Sequence, residues 1–96
     1  MSNVIDGAVT ALRAKLGDGF DGSAKFHILD EGCIVADGAG VREADEETDV
    51  TLSADRETFE AMLAGELDPS SAFMSGRLKI EGDMGAAMKL GAALSG

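Results

Sequence analysis

The stretch Arg77-Leu78-Lys79-Ile80-Glu81-Gly82-Asp83 runs on into Met84-Gly85-Ala86-Ala87-Met88-Lys89-Leu90-Gly91-Ala92-Ala93-Leu94, and its reading decides the fold. The first five residues alternate strictly, with Leu78 and Ile80 on one face and charges at 77, 79 and 81 on the other. That period of two is the mark of a strand with one buried face. Gly82-Asp83 turns the chain, and Asp83 supplies an N-cap carboxylate for a helix from Met84 onward. The helix carries a single charge, Lys89, and two interior glycines, each costing about 1 kcal/mol of helix propensity against Ala. A helix without a polar face is expected to be covered nearly all round. Its small residues suit close packing on a sheet, while its flexible methionines suit the wall of an apolar pocket.

Working back from this stretch, Asp68-Pro69 starts a short helical turn, with an N-cap acid before proline at the first helical position. Ala72-Phe73-Met74 reads as its buried end, and Gly76 closes it. Asp55 to Ala64 is a helix capped by Ser53 or Asp55, with Phe59, Met62 and Leu63 as its apolar stripe and Gly65 as its stop. Val50-Thr51-Leu52-Ser53 alternates as a strand. Residues 43–49 hold five acids in seven, read as a solvated connection, since their spacing does not match a calcium loop. Gly19 to Asp37 reads as a hairpin: Phe26 and Ile28 face inward, Asp30-Glu31-Gly32 turns, and Cys33-Ile34-Val35-Ala36 returns. Gly38-Ala39-Gly40 is read as a hairpin tip and not a phosphate cradle, because no third glycine or opening helix follows. Asn3 to Leu16 is an amphipathic helix with the stripe Ile5, Val9, Leu12, Leu16, an Asn3 cap and Gly17 as its stop.

The chain has 96 residues, one domain's worth (1–96), and 45% of them are apolar, enough for one modest core. It is rich in small residues, with 15 Ala and 13 Gly, and has no Trp or Tyr. Eight basic residues against 18 acidic give a net charge of −10. No basic face is available to displace phosphate counterions, which excludes nucleic acid as a partner. An anionic membrane surface repels the domain at long range. The longest weakly polar stretch, Met84–Leu94, is about half the roughly 20 residues of a membrane span, so stable membrane insertion is not expected. The first residues lack a basic, apolar leader pattern. Cys33 is the sole cysteine, which fits a reducing, cytoplasmic setting.

Catalysis is poorly supported. His27 is the lone near-neutral base, and no Ser or Cys stands at a motif spacing around it. One thiol and one imidazole do not make a closed zinc site. The reading is therefore a protein that is not an enzyme and holds no cofactor.

Helix, strands, helix, short turn, strand, helix is the order of an α+β layer packing. With few bulky side chains, the layers either close around Ala and Gly or leave an apolar gap that is small or occupied. A gap of that kind opens a lipid-binding function. Burying a sixteen-carbon chain gains roughly 10 kcal/mol before the costs of binding are subtracted.

From Asp49 to Leu90 the chain resembles the sterol carrier protein domain, a small lipid-transfer module. The resemblance is carried by Asp49-Val50-Thr51-Leu52, then Phe59, Gly65, Pro69, Ala72-Phe73, Gly76, Leu78, Ile80, Gly82-Asp83 and Met88-Lys89-Leu90. It implies an α+β fold, a small mixed sheet of about five strands covered by helices, with an apolar tunnel between sheet and helices. It also implies non-catalytic binding of a fatty acid, acyl-CoA, phospholipid or sterol. Phe59, Leu63, Phe73, Leu78, Ile80, Met84 and Met88 are the wall residues it carries over. Alternation and periodicity add Val50, Leu52 and Leu90 or Leu94. Many members hold a Trp in the second strand where Cys33-Ile34-Val35-Ala36 stands here. Peroxisomal members extend past the position of Gly96 to a targeting tripeptide. These departures favour an acyl chain over a sterol. The rival expectation is an interaction module whose apolar face is covered by a partner or by a second copy in a homodimer.

Overall fold

The computed structural model describes residues 3–17 and 20–95. In chain order the elements are α1 (Asn3–Leu16), β1 (Ala24–Ile28), β2 (Gly32–Asp37), β3 (Gly40–Glu43), β4 (Val50–Ala54), α2 (Arg56–Leu63), α3 (Pro69–Met74), β5 (Lys79–Gly82) and α4 (Met84–Ser95). The expected Asn3 cap and the Gly19 start of the first hairpin lie outside the described residues and side chains. The five strands form one sheet in the order β3-β2-β1-β4-β5. β1 and β4 are parallel, and the other three pairings are antiparallel. The architecture is the mixed α+β sheet expected from the sequence.

Helices cover one face of the sheet. Ala24, Phe26 and Ile28 of β1, Ile34 and Ala36 of β2, and Val50, Leu52 and Ala54 of β4 point to that face and are buried. Ile5 and Leu12 of α1 and Phe59 and Met62 of α2 join them in the core. The rings of Phe26 and Phe59 meet edge to face at 6.1 Å, joining α2 to the sheet. Arg13 ties the end of α1 to the edge strand through Nε and Nη2, both donating to the Val41 carbonyl at 3.2 and 3.0 Å. Val9 and Leu16 pack against this core half-buried.

The first hairpin is longer than the sequence suggests. After the Gly38-Ala39 tip the chain returns as β3, so residues 24–43 form a three-stranded meander. This strand offers one apolar residue, Val41, too little for a hydropathy pattern. The turn before β2 is made by Asp30 at φ 66°, a left-handed conformation that Asp tolerates, and the Glu31 N–H donates to the Ile28 carbonyl at 3.0 Å.

The acidic link 43–49 has a topological task. It leaves the β3 edge and must pass β2 and β1 to reach β4. It crosses the face away from the helices and is fastened there by ion pairs. Lys25 Nζ donates to Asp45 at 2.9 Å, and Arg42 Nη2 donates to Glu46 at 3.0 Å. Val35 points to this outer face between Lys25 and Arg42 in the register, and is 1% exposed. The connection is acidic and mostly exposed, as expected, but it also shields an apolar residue.

Candidate functional site

The end of the molecule built by residues 68–92 differs from the sealed core. Pro69 opens α3, and Ser75-Gly76 ends it after six residues. Gly76 stands at φ 82°, and the Arg77 and Leu78 N–H groups both donate back to the Ala72 carbonyl, at 2.9 and 3.1 Å. This tight reversal brings Leu78 against the sheet, where it is 2% exposed. β5 then pairs with β4, placing Ile80 beside Leu52. Gly82 packs against the Asp49 backbone at φ 106°, and the Asp83 N–H donates to the Asp49 carbonyl at 2.8 Å. Asp83 caps α4 as expected, its Oδ1 accepting from the Gly85 and Ala86 N–H groups at 2.8 and 3.4 Å.

The cap fixes the rotation of α4, which presents two apolar stripes. Ala86, Leu90 and Leu94, four residues apart, are buried in the core. Met84, Ala87, Met88 and Gly91, at the spacing of three and four that marks one helical face, turn toward α3. Between the helices runs an apolar groove of about 490 Å³, within the roughly 300–1,000 Å³ of small-molecule sites. Leu52, Leu78 and Ile80 form its floor, Pro69, Ser70, Phe73 and Met74 one wall, and Met84, Ala87, Met88, Gly91 and Ala92 the other. Among the described residues no acidic or basic side chain lines it, and the Ser70 hydroxyl is the one polar side-chain group there.

Two expectations are corrected here. Phe73 and Met74 are not a buried end of α3 but are 45% and 85% exposed. Nor is α4 covered nearly all round, since Met84 and Met88 are 52% and 75% exposed. The physical reason is the same in both cases. Ala72 of α3 and Ala86, Leu90 and Leu94 of α4 turn into the core, and among the described residues no further element lies over the opposite stripes. The apolar space is accordingly a groove open to solvent.

Of the ten residues named from sequence, six share this groove: Leu52, Phe73, Leu78, Ile80, Met84 and Met88. Val50 and Leu90 are fully buried in the core and do not line it. Phe59 and Leu63 lie elsewhere, in a second hollow of about 320 Å³ between α1 and α2. That hollow is flanked by Arg56 and Glu60, whose side chains approach to 3.7 Å. Missed by sequence reasoning were Pro69, Ser70, Met74, Ala87, Gly91 and Ala92. The i, i+3, i+4, i+7 spacing from Met84 could have found Ala87 and Gly91.

The titratable groups lie away from the groove. His27 projects from the opposite face of the sheet, beside Ser53 and Lys79. Burial, then the nearby Asp45 carboxylate, pushes the Cys33 thiol above its ordinary value, so it is a poor nucleophile. Arg42 holds the Asp37 carboxyl, and Lys25 the Asp45 carboxyl, below the usual range. Asp55, capping α2 by accepting from the Thr58 N–H at 2.8 Å, is lowered by that residue.

The resemblance implied an apolar tunnel between sheet and helices; what the structure shows there is an open apolar groove. The profile of the SCP-2 sterol transfer family matches residues 9–95. The chain belongs to that family. Human Sterol carrier protein 2 is 36% identical over 86 residues, 88% of this chain and 15% of that protein. Hydroxysteroid dehydrogenase-like protein 2 from Xenopus laevis is 51% identical over 53 residues, 55% of this chain and 13% of that protein. This SCP-2 family chain thus spans only a small part of the curated relatives it matches. Among solved structures, sterol carrier protein-2 from Aedes aegypti in complex with palmitate superposes with a TM-score of 0.77 at 18% identity, covering 99% of this chain and 97% of that one. Sterol carrier protein domain 2 of Helicoverpa armigera gives 0.65 at 26% identity, covering 96% and 82%. The SCP-2 fold is therefore shared along essentially the whole chain. Among the described residues no helix is long and apolar enough to cross a membrane.

Proposed function

We propose that this SCP-2 domain binds an acyl-chain lipid in the groove between α3, α4 and the β4–β5 floor, and carries it without catalysis. One observation supports this reading above the others. Of the five large hydrophobic side chains left exposed among the described residues, Phe73, Met74, Met84 and Met88 all stand around the same groove. Exposed apolar area gathered in one concavity, and not scattered, marks a binding site. Flexible methionines fit an alkyl tail of variable length and bend. The absence of charge along the groove suits the tail, and leaves a polar head at its open side.

The ligand class is a fatty acid or a fatty acyl group, including acyl-CoA or a phospholipid. A sterol is the weaker fit, since a rigid ring system gains less from pliable walls. Sterol transfer in the family name and palmitate in the Aedes aegypti complex support a lipid ligand. Among the described residues the groove offers no acid, base or nucleophile beyond the Ser70 hydroxyl, which supports carriage over chemistry. A lone, half-buried thiol supports a reducing, cytoplasmic setting.

Native mass spectrometry of the protein as isolated, followed by titration with a fluorescent C16 fatty acid, tests the reading. A retained lipid, and saturable binding weakened roughly tenfold or more by Met84→Asp with Met88→Asp, are the expected results. Absence of binding at every acyl chain length would refute it. The same exposed face also favours self-association, in which case light scattering would show a dimer that the double variant abolishes.

A further inference from the structure

The two edges of the sheet are guarded unequally. At the β3 edge, Arg13 of α1 donates twice to the Val41 carbonyl, so a side chain already occupies the outward side of that strand. β5 is the other edge. Its register with β4 pairs Leu52 with Ile80 and Val50 with Gly82, and the Asp83 N–H donates to the Asp49 carbonyl directly opposite. Hydrogen bonding alternates along an antiparallel pair, so Lys79 and Glu81 bond toward β4, while the N–H and C=O groups of Ile80 and Gly82 face outward. Among the described residues nothing bonds to them there. A free edge of this kind is a template for another strand.

The charges around Ile80 say which strand. Arg77 and Lys79 precede it, Glu81 and Asp83 follow it, and all four are exposed. Reversed on itself about Ile80, the stretch sets Lys79 opposite Glu81 and Arg77 opposite Asp83. Arg77 also stands by Asp55 on the outer face of the sheet, so the central pair carries the register. Among the described residues neither Lys79 nor Glu81 forms an ion pair within the chain. Centred on Lys79 or Glu81 instead, the same reversal sets like charges directly opposite, which is destabilising.

We propose that β5 pairs antiparallel with β5 of a second copy of this chain, about a two-fold axis at Ile80. The two Ile80 residues exchange N–H···O bonds across the axis, and Lys79 of each copy meets Glu81 of the other, an isologous contact. On the inner face, Ile80 ends the floor of the groove at the sheet edge. Pairing sets a second Ile80 beside it, so the floors of two grooves run together and each copy completes the other. The joined floor rests on the lipid-carrier reading; the strand pairing stands without it. The net charge of −10 opposes encounter, but physiological salt screens it beyond about 8 Å. The Leu78 N–H is already taken by the Ala72 carbonyl, which keeps the seam short. A short seam predicts a weak dimer, with Kd in the range of about 1 μM to 1 mM.

Sedimentation velocity across that concentration range tests the pairing, alongside fluorescent C16 fatty acid binding and circular dichroism. The wild type is expected to pass from monomer to dimer as concentration rises, with amide hydrogen exchange at Ile80 slowing in step. Lys79→Glu or Glu81→Lys alone sets two like-charged pairs in the seam and is expected to raise Kd roughly tenfold or more, with the circular dichroism spectrum unchanged. Lys79→Glu together with Glu81→Lys makes the opposite charges face each other again and is expected to restore the dimer. Fatty acid binding is expected to persist in all three variants, since neither residue lines the groove. A wild type that stays monomeric, or a dimer indifferent to the single reversals, would overturn the pairing and leave the lipid reading intact. A dimer lost in Met84→Asp with Met88→Asp but kept in the single reversals would also overturn it, assigning self-association to the groove walls. Fatty acid binding that fails while the charge-swapped dimer forms would remove the lipid reading and leave the seam.

Discussion

The two ends of the molecule use apolar residues in opposite ways. Where α1 and α2 meet the sheet, Ile5, Leu12, Phe26, Ile28 and Ile34 are at most 1% exposed, and bulky side chains interlock. Beside α3 and α4 the buried residues are Ala72, Ala86 and Leu90 with Leu78, while Phe73, Met74, Met84 and Met88 are left outside. Apolar side chains are present at both ends; their size and coverage differ. Bulky residues at the first end seal a core. Small residues on the sheet-facing stripes of the second let two short helices settle, with nothing over their other stripes. On the proposed reading, the sealed end holds the fold without ligand and the unsealed end takes the ligand.

The comparison breaks most visibly under truncation. Phe26→Ala removes a ring packed against Phe59 and is expected to cost about 3–5 kcal/mol in denaturant unfolding. Met88→Ala, by contrast, removes an exposed side chain and is expected to stay within about 0.5 kcal/mol. Similar losses at the two sites would mean that the groove end is a core after all. The next effect is at Gly82, which joins the ends by letting β5 lie against the strand-β4 entry. A Cβ there would collide with the Asp49 carbonyl oxygen at a positive φ, so Gly82→Ala is expected to cost roughly 2 kcal/mol or more. Hydrogen exchange should show the loss concentrated in β5 and α4.

The smallest effect separates the ends by pH. The carboxyls of Asp37, Asp45 and Asp55 are held below their ordinary value of 3.8 in the fold. A lowered folded pKa means that the stabilisation is complete above the unfolded value and is lost as pH falls through the folded values. Thermal stability should therefore decline below about pH 4, and Asp45→Asn should shrink its share of that decline. Binding of an uncharged fatty alcohol to the groove, which holds no titratable side chain, should stay flat between about pH 8 and 5. A titration step in that range would place an ionisable group at the ligand.

Much of the fold was legible because its periods are clean. Leu78 and Ile80 alternate with charges, Asp83 stands where a cap belongs, and Ile5 to Leu16 stripes one helical face. Strand β3 was illegible because Val41 is its one apolar residue, and a strand made by backbone pairing leaves no hydropathy trace. The ion pairs of the acidic link were hidden for a related reason. Asp45 meets Lys25, and Glu46 meets Arg42, only once β3 is known to be the edge. For the groove, residue type was readable and coverage was not. The pattern reads Phe59 as part of an apolar stripe and Met88 as a wall residue that the resemblance carries over. It does not show that α2 buries one against Phe26 while the stripe of α4 bearing the other lies uncovered. Five of the six named residues that meet in the groove follow Pro69, where the family pattern concentrates and the walls are built; Leu52 came from strand alternation.

Methyl-labelled methionine makes the contrast measurable in one experiment. Met62 is 1% exposed in the sealed core, while Met74, Met84 and Met88 ring the groove. In a two-dimensional methyl spectrum titrated with palmitate, the account predicts saturable shifts at Met74, Met84 and Met88, with Met62 nearly still. Shifts confined to Met62, or three groove methyls unmoved at saturating palmitate, would contradict it.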